Sequence, residues 1–202
     1  MTSRVDTGRA HMTALREALD ELEAQTPQLD LWARRLAEVL TSGGRLLVAG
    51  NGGSAAQSQH LAAELVGRYR LERRPFSAIA LNTDSSAITA IGNDYGFEEV
   101  FARQVRAHGR SGDVLLLLTT SGSSPNIIRA AAEGRALGLT VWALTGALLP
   151  SLHIECSDVV AVTSSSTATI QEAHLVALHM LCDAFDREIV GTTNVDWRAV
   201  NR

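Results

Sequence analysis

The chain has 202 residues, 46% of them hydrophobic, and a formal net charge of -4. That length accommodates one α/β domain with a full core, or one domain plus a helical extension, and its scattered basic residues leave no footprint for a nucleic acid. All 18 basic residues are Arg, and without a Lys amine the chain is excluded from Schiff-base aldolase chemistry, lysine-bound pyridoxal phosphate and the P-loop.

The N-terminal residues 1–10 are polar and lack the apolar core of a signal peptide. The longest aliphatic run, residues 114–118, is too short to span a bilayer. A cytoplasmic protein without a membrane partner is expected. Cys156 and Cys182 show no CxxC spacing and read as free, buried thiols.

Residues 11–24 carry Leu15, Leu19 and Leu22 at helical spacing. Thr26 reads as the N-cap of a second helix with Pro27 at its first position; Leu31, Leu36, Val39 and Leu40 form its apolar face, and it ends near Ser42-Gly43-Gly44. These helices precede the first strand, so they form an arm, residues 1–44, that packs on the domain or on a second subunit; the sequence favours the subunit. From residue 45 to residue 190 the pattern alternates. Strands are expected at 46–49, 77–81, 114–119, 140–144 and 159–162, and helices at 54–70, 85–91, 98–107, 125–137 and 169–189. Such alternation predicts a parallel sheet with helices on both faces, whose ligands bind beyond the carboxyl ends of the strands. The tail, residues 191–202, carries no motif.

The first strand runs directly into Gly50-Asn51-Gly52-Gly53-Ser54. The glycines permit a sharp turn and close approach of a ligand. Ser54 reads as the cap of the next helix, whose free N–H groups and positive dipole end suit an anion such as a sugar phosphate. On that helix His60 and Glu64 share a face at i and i+4, an acid/base or metal pair. Residues 119–124, Thr-Thr-Ser-Gly-Ser-Ser, set five hydroxyls ahead of Pro125, with Ser124 as cap: a second anion site needing no lysine. This is not a dinucleotide fingerprint, which disfavours a nicotinamide cofactor. The polar residues at 82–86 and 92–96 read as turns or as sugar-hydroxyl contacts. On the last long helix Gln171, Glu172 and His179 are polar. At about 100° per residue Glu172 nearly eclipses His179, whereas Gln171 diverges by roughly 80°, so spacing leaves the partner of His179 open.

Taken together, Gly50 to Ser54, His60, Glu64, Gly92-Asn93-Asp94-Tyr95-Gly96, Thr120-Ser121-Gly122-Ser123-Ser124 and Ile170-Gln171-Glu172-Ala173-His174 resemble the SIS (sugar isomerase) domain in its phosphoheptose isomerase subgroup. The resemblance implies a three-layer α/β sandwich around a five-stranded parallel sheet, with the N-terminal helices bundled at the centre of a homotetramer and active sites between subunits. It implies conversion of sedoheptulose 7-phosphate to D-glycero-D-heptopyranose 7-phosphate through an enediol. It implies zinc held by His60, Glu64, Gln171 and His179, with Glu64 as general base and His179 as its partner. Substrate contacts are implied at Asn51, Gly52, Gly53, Ser54, Glu64, Asn93, Asp94, Thr119, Thr120, Ser121, Ser124 and Gln171. The alternative is a non-catalytic SIS module that binds a replication-initiator protein; such modules generally lack the full metal set. The chain departs from the family pattern with Thr119 for Ser, Ser123 for Asn and Ala168 for Asp, and residues 147–150 form a short apolar loop.

Overall fold

Aliphatic runs without helical periodicity build one sheet. The computed structural model describes residues 4–192, and its strands are β1 (Leu46–Gly50), β2 (Ala78–Ala80), β3 (Val114–Thr119), β4 (Thr140–Thr145) and β5 (Asp158–Ala161). Each lies within one residue of the sequence expectation at either end. All neighbours pair in parallel, in the order β2-β1-β3-β4-β5. The unbroken apolar run of β3 follows from burial on both faces. Val114, Leu116 and Leu118 enter one core, and Leu115 and Leu117 enter the other.

The helices are α1 (Arg4–Glu23), α2 (Thr26–Thr41), α3 (Gly53–Val66), α4 (Ser85–Tyr95), α5 (Ala102–His108), α6 (Pro125–Ala136), α7 (Pro150–His153) and α8 (Thr167–Thr192). α1, α2, α3 and α8 cover one face of the sheet, and α4 to α7 cover the other, giving the three-layer sandwich. α2 buries Leu29, Trp32, Leu36 and Leu40 in the core of its own domain. Trp32 stacks on Trp142 of β4 at 4.8 Å and donates its indole N–H to Asp158 at 3.0 Å. Gln25 reaches the edge strand β5: its amide donates to Ala161 O at 2.6 Å and its carbonyl accepts from Ala161 N at 3.1 Å. The sequence favoured packing of this arm on a second subunit; α2 packs on its own domain.

Local signals misplace several helix ends. Gln25, not Thr26, holds the cap position of α2, because only Ala24 and Gln25 separate it from α1; the Thr26 hydroxyl turns back to Glu23 O. Residues 92–95 read as a turn, yet α4 continues through them to Tyr95, with Ile88 and Ile91 packed on the core, and Gly96 ends it at φ 92. The loop after Gly146 contains the short helix α7. The tail lies outside the described residues from position 193 onward.

Candidate active site

β1 and β3 are neighbours, but the chain leaves them in opposite directions: β2 flanks β1, whereas β4 and β5 extend beyond β3. A crevice opens where the strand order reverses, beyond the carboxyl ends of these two strands. α3 starts there after β1, and α6 starts there after β3. Two positive helix ends therefore face one crevice.

The glycines make this junction possible. A Cβ on Gly50 would come within 2.7 Å of the Ser54 backbone, so only glycine lets the first turn of α3 rest on the end of β1. Gly52, at φ 55, occupies the cap position expected for Ser54. Ser54 is instead buried in the first turn, because the tight turn starts the helix two residues earlier than Ser capping would. Ser124 does hold the cap position of α6, with extended backbone and no capping bond from its side chain. Its hydroxyl thus remains free for a ligand. Asn51, Ser54, Thr119, Thr120 and Ser124 line one polar cavity of about 40 Å³. A wider cleft of about 500 Å³ shares Asn51 and Ser124 and extends past Phe97 and Asn126.

α3 and α8 run side by side away from this crevice. At the crevice end Gln57 donates to Gln171 O at 2.6 Å. The Gln171 amide lies over Gly53, where an added Cβ would meet it at 2.6 Å. Further along, His60 Nε2 faces His179 Nε2 at 3.0 Å. Glu64 Oε1 stands 3.4 Å from the same His60 nitrogen. The structure therefore sets His60 against both His179 and Glu64. It sets Gln171 eight residues before His179, or about 12 Å of helical rise. Glu172, left open by spacing, is engaged elsewhere: His11 of α1 reaches its carboxylate at 2.9 Å. Asn93 and Asp94 are exposed on the last turn of α4, where the Asn93 amide donates to Asp94 at 2.8 Å; neither lines these cavities. Ser121 is exposed and its hydroxyl accepts from Ser123 N.

The donor types present suit zinc, since imidazole and carboxylate are among its usual ligands. The facing nitrogens of His60 and His179 are the observation that supports this fit. Among the described residues no group of three or more His, Cys, Asp or Glu side chains is gathered to hold an ion.

A model of the SIS domain matches residues 10–146. The chain belongs to the SIS-domain family. A phosphoheptose isomerase of Streptomyces coelicolor is 60% identical over 176 residues, covering 87% of this chain and 76% of the relative. One from Helicobacter pylori is 45% identical over 178 residues, covering 88% and 91%. Among solved structures, a phosphoheptose isomerase from Francisella tularensis superposes with TM-score 0.86 at 38% identity, covering 93% of this chain and all (100%) of that one. Another, from Neisseria gonorrhoeae, gives 0.83 at 38% identity, covering 91% and 99%.

Two residues of this SIS domain escaped the sequence reading. Asn126 is buried and forms a reciprocal amide pair with Asn51, both bonds 2.9 Å. Its signal was a polar residue beside Ile127, Ala130 and Ala131 on the buried face of α6. Gln57 is likewise a polar residue on the buried face of α3. Each ties two elements at the crevice together, which a motif search does not reveal.

Proposed function

We propose that this chain is a ketose–aldose isomerase that converts sedoheptulose 7-phosphate to D-glycero-D-heptopyranose 7-phosphate, the first step of nucleotide-activated heptose synthesis. The observation that carries the reading is the union of two features along α3. A lysine-free anion cavity lies at its start, and a His60–Glu64–His179 cluster lies two turns on. A module that only binds a protein partner has no use for the second feature.

The phosphate sits at the cavity, held by the hydroxyls of Thr119, Thr120, Ser121 and Ser124 and by the N-terminal ends of α3 and α6. Asn51, Gly52, Gly53 and Ser54 approach the sugar from the α3 turn, and Gln171 adds to its contacts. Glu64 removes a proton from C1 of the open-chain ketose, giving a cis-enediol, and the proton returns to C2. His179 moves the second proton between the neighbouring oxygens or assists ring opening. Positioned acid–base groups of this kind contribute about 10²–10⁴-fold each. His60, Glu64, Gln171 and His179 would hold a zinc ion, which would supply polarisation of the carbonyl and stabilisation of developing negative charge. The active enzyme is a cytoplasmic homotetramer with its sites between subunits.

The test is incubation with sedoheptulose 7-phosphate, with and without a chelator, and NMR of the products. Aldose heptose phosphate should form and should diminish with chelator. A ketose that remains unconverted by the untreated protein refutes the proposal.

A further inference from the structure

The loop after α3 holds a ring that the chemistry above leaves unused. Tyr69 lies against His179, with centroids 5.6 Å apart and 27° between the planes. On another side His179 meets His60 edge-to-face at 5.2 Å and 72°. The imidazole is therefore held between two rings, and aromatic contacts of this kind favour a definite tilt.

A loop residue fixes a neighbour only if the loop itself is fixed. Asp186 of α8 does this. One carboxylate oxygen accepts from Arg73 Nε at 2.8 Å, and the other accepts from the backbone N–H groups of Arg70 at 3.3 Å and Leu71 at 3.2 Å. Arg73 in turn donates to Glu64 O at 2.7 Å and Leu65 O at 3.0 Å, at the end of α3. The Arg73 and Asp186 side chains are only 2% and 1% exposed, so the pair is shielded from solvent. One buried ion pair thus ties the turn carrying Tyr69 to both helices of the candidate site.

We propose that Tyr69 is a positioning residue, its ring held by the Arg73–Asp186 pair so as to set the tilt of the His179 imidazole toward His60. This rests on the isomerase reading for its consequence in catalysis. The contact uses the ring face, so a phenyl ring serves equally and an aliphatic side chain does not.

The experiment compares Tyr69→Phe and Tyr69→Leu in the purified enzyme. It measures kcat and KM with sedoheptulose 7-phosphate and the ring-proton NMR resonances of His179. Tyr69→Phe should keep kcat within about twofold, and Tyr69→Leu should lower it roughly tenfold at unchanged KM, the rate equivalent of one lost aromatic contact. The His179 resonances should move in Tyr69→Leu, which removes the ring current, and stay in place in Tyr69→Phe. Equal losses in both variants would assign a chemical role to the hydroxyl and overturn the proposal, as would full activity in both or unmoved resonances in Tyr69→Leu. The resonances are read whether or not the sugar turns over, so failure of the isomerase reading and failure of this one are separable.

Discussion

His174 sits in α8 three residues after Gln171, fully buried, and neither ring nitrogen has a partner of good hydrogen-bond geometry. Burial pushes its pKa down to about 4, against a weaker opposing pull from the Thr145 backbone. In the unfolded chain a histidine titrates near ~6.5. Between those two values the unfolded state binds more protons, so stability is lost as pH falls from the upper value toward the lower. The gap corresponds to up to about 3 kcal/mol. Urea denaturation should therefore show a midpoint that drops between neutral pH and about pH 4.5, and His174→Leu should flatten that drop. An identical pH slope in the variant would place the effect elsewhere. Asn126 offers a second test, because its amide is the partner that fixes Asn51 at the cavity. Asn126→Ala should raise KM for the phosphorylated sugar with little change in kcat, at a stability cost of about 1–3 kcal/mol for the orphaned amide. Steady-state kinetics that show an unchanged KM would separate Asn51 from substrate binding.

At the scale of elements, α3 and α8 define the site by lying side by side. What was legible in the sequence was periodic: the strands, the glycine turn, and the His60–Glu64 face follow from spacing within one element. What was not legible depends on a neighbour. The α3 start moved from Ser54 to Gly53 because Gly52 adopts a backbone that capping preference does not encode. α4 ran through Gly92 because packing of Ile88 and Ile91 outweighed turn propensity. Glu172 turns to His11, a residue of another helix, which spacing along α8 does not encode. Tyr69 carries no periodic signal at all. Gly53 tests how closely α3 and α8 must approach. A methyl group at Gly53 would strike the Gln171 amide, a movable side-chain end. Gly53→Ala should thus change stability by only about 1 kcal/mol, while displacing Gln171 and lowering kcat/KM. Retention of full kcat/KM would show that the Gln171 amide does no work where it lies.

At the scale of the whole molecule, the three layers account for α2 to α8 but not for all of α1. That helix has 20 residues, about 30 Å at the usual rise. Its own domain buries Ala18 and Leu22, near its C-terminal end. Met12, further toward its start, is 48% exposed, and Leu31 on α2 is 52% exposed. Most helical stability in proteins comes from packing an apolar face, and among the described residues the His11–Glu172 contact links the first half of α1 to α8. In the proposed homotetramer, packing against other copies would cover the apolar stripe of α1. Light scattering should then report four chains per particle, and thermal midpoints should rise with protein concentration, as mass action requires of a folded state stabilised by association. Met12→Glu places a charge in that stripe and should shift the particle to smaller species, with activity falling in step if the sites lie between subunits. A monodisperse monomer with undiminished turnover would break the link between α1 and the active site.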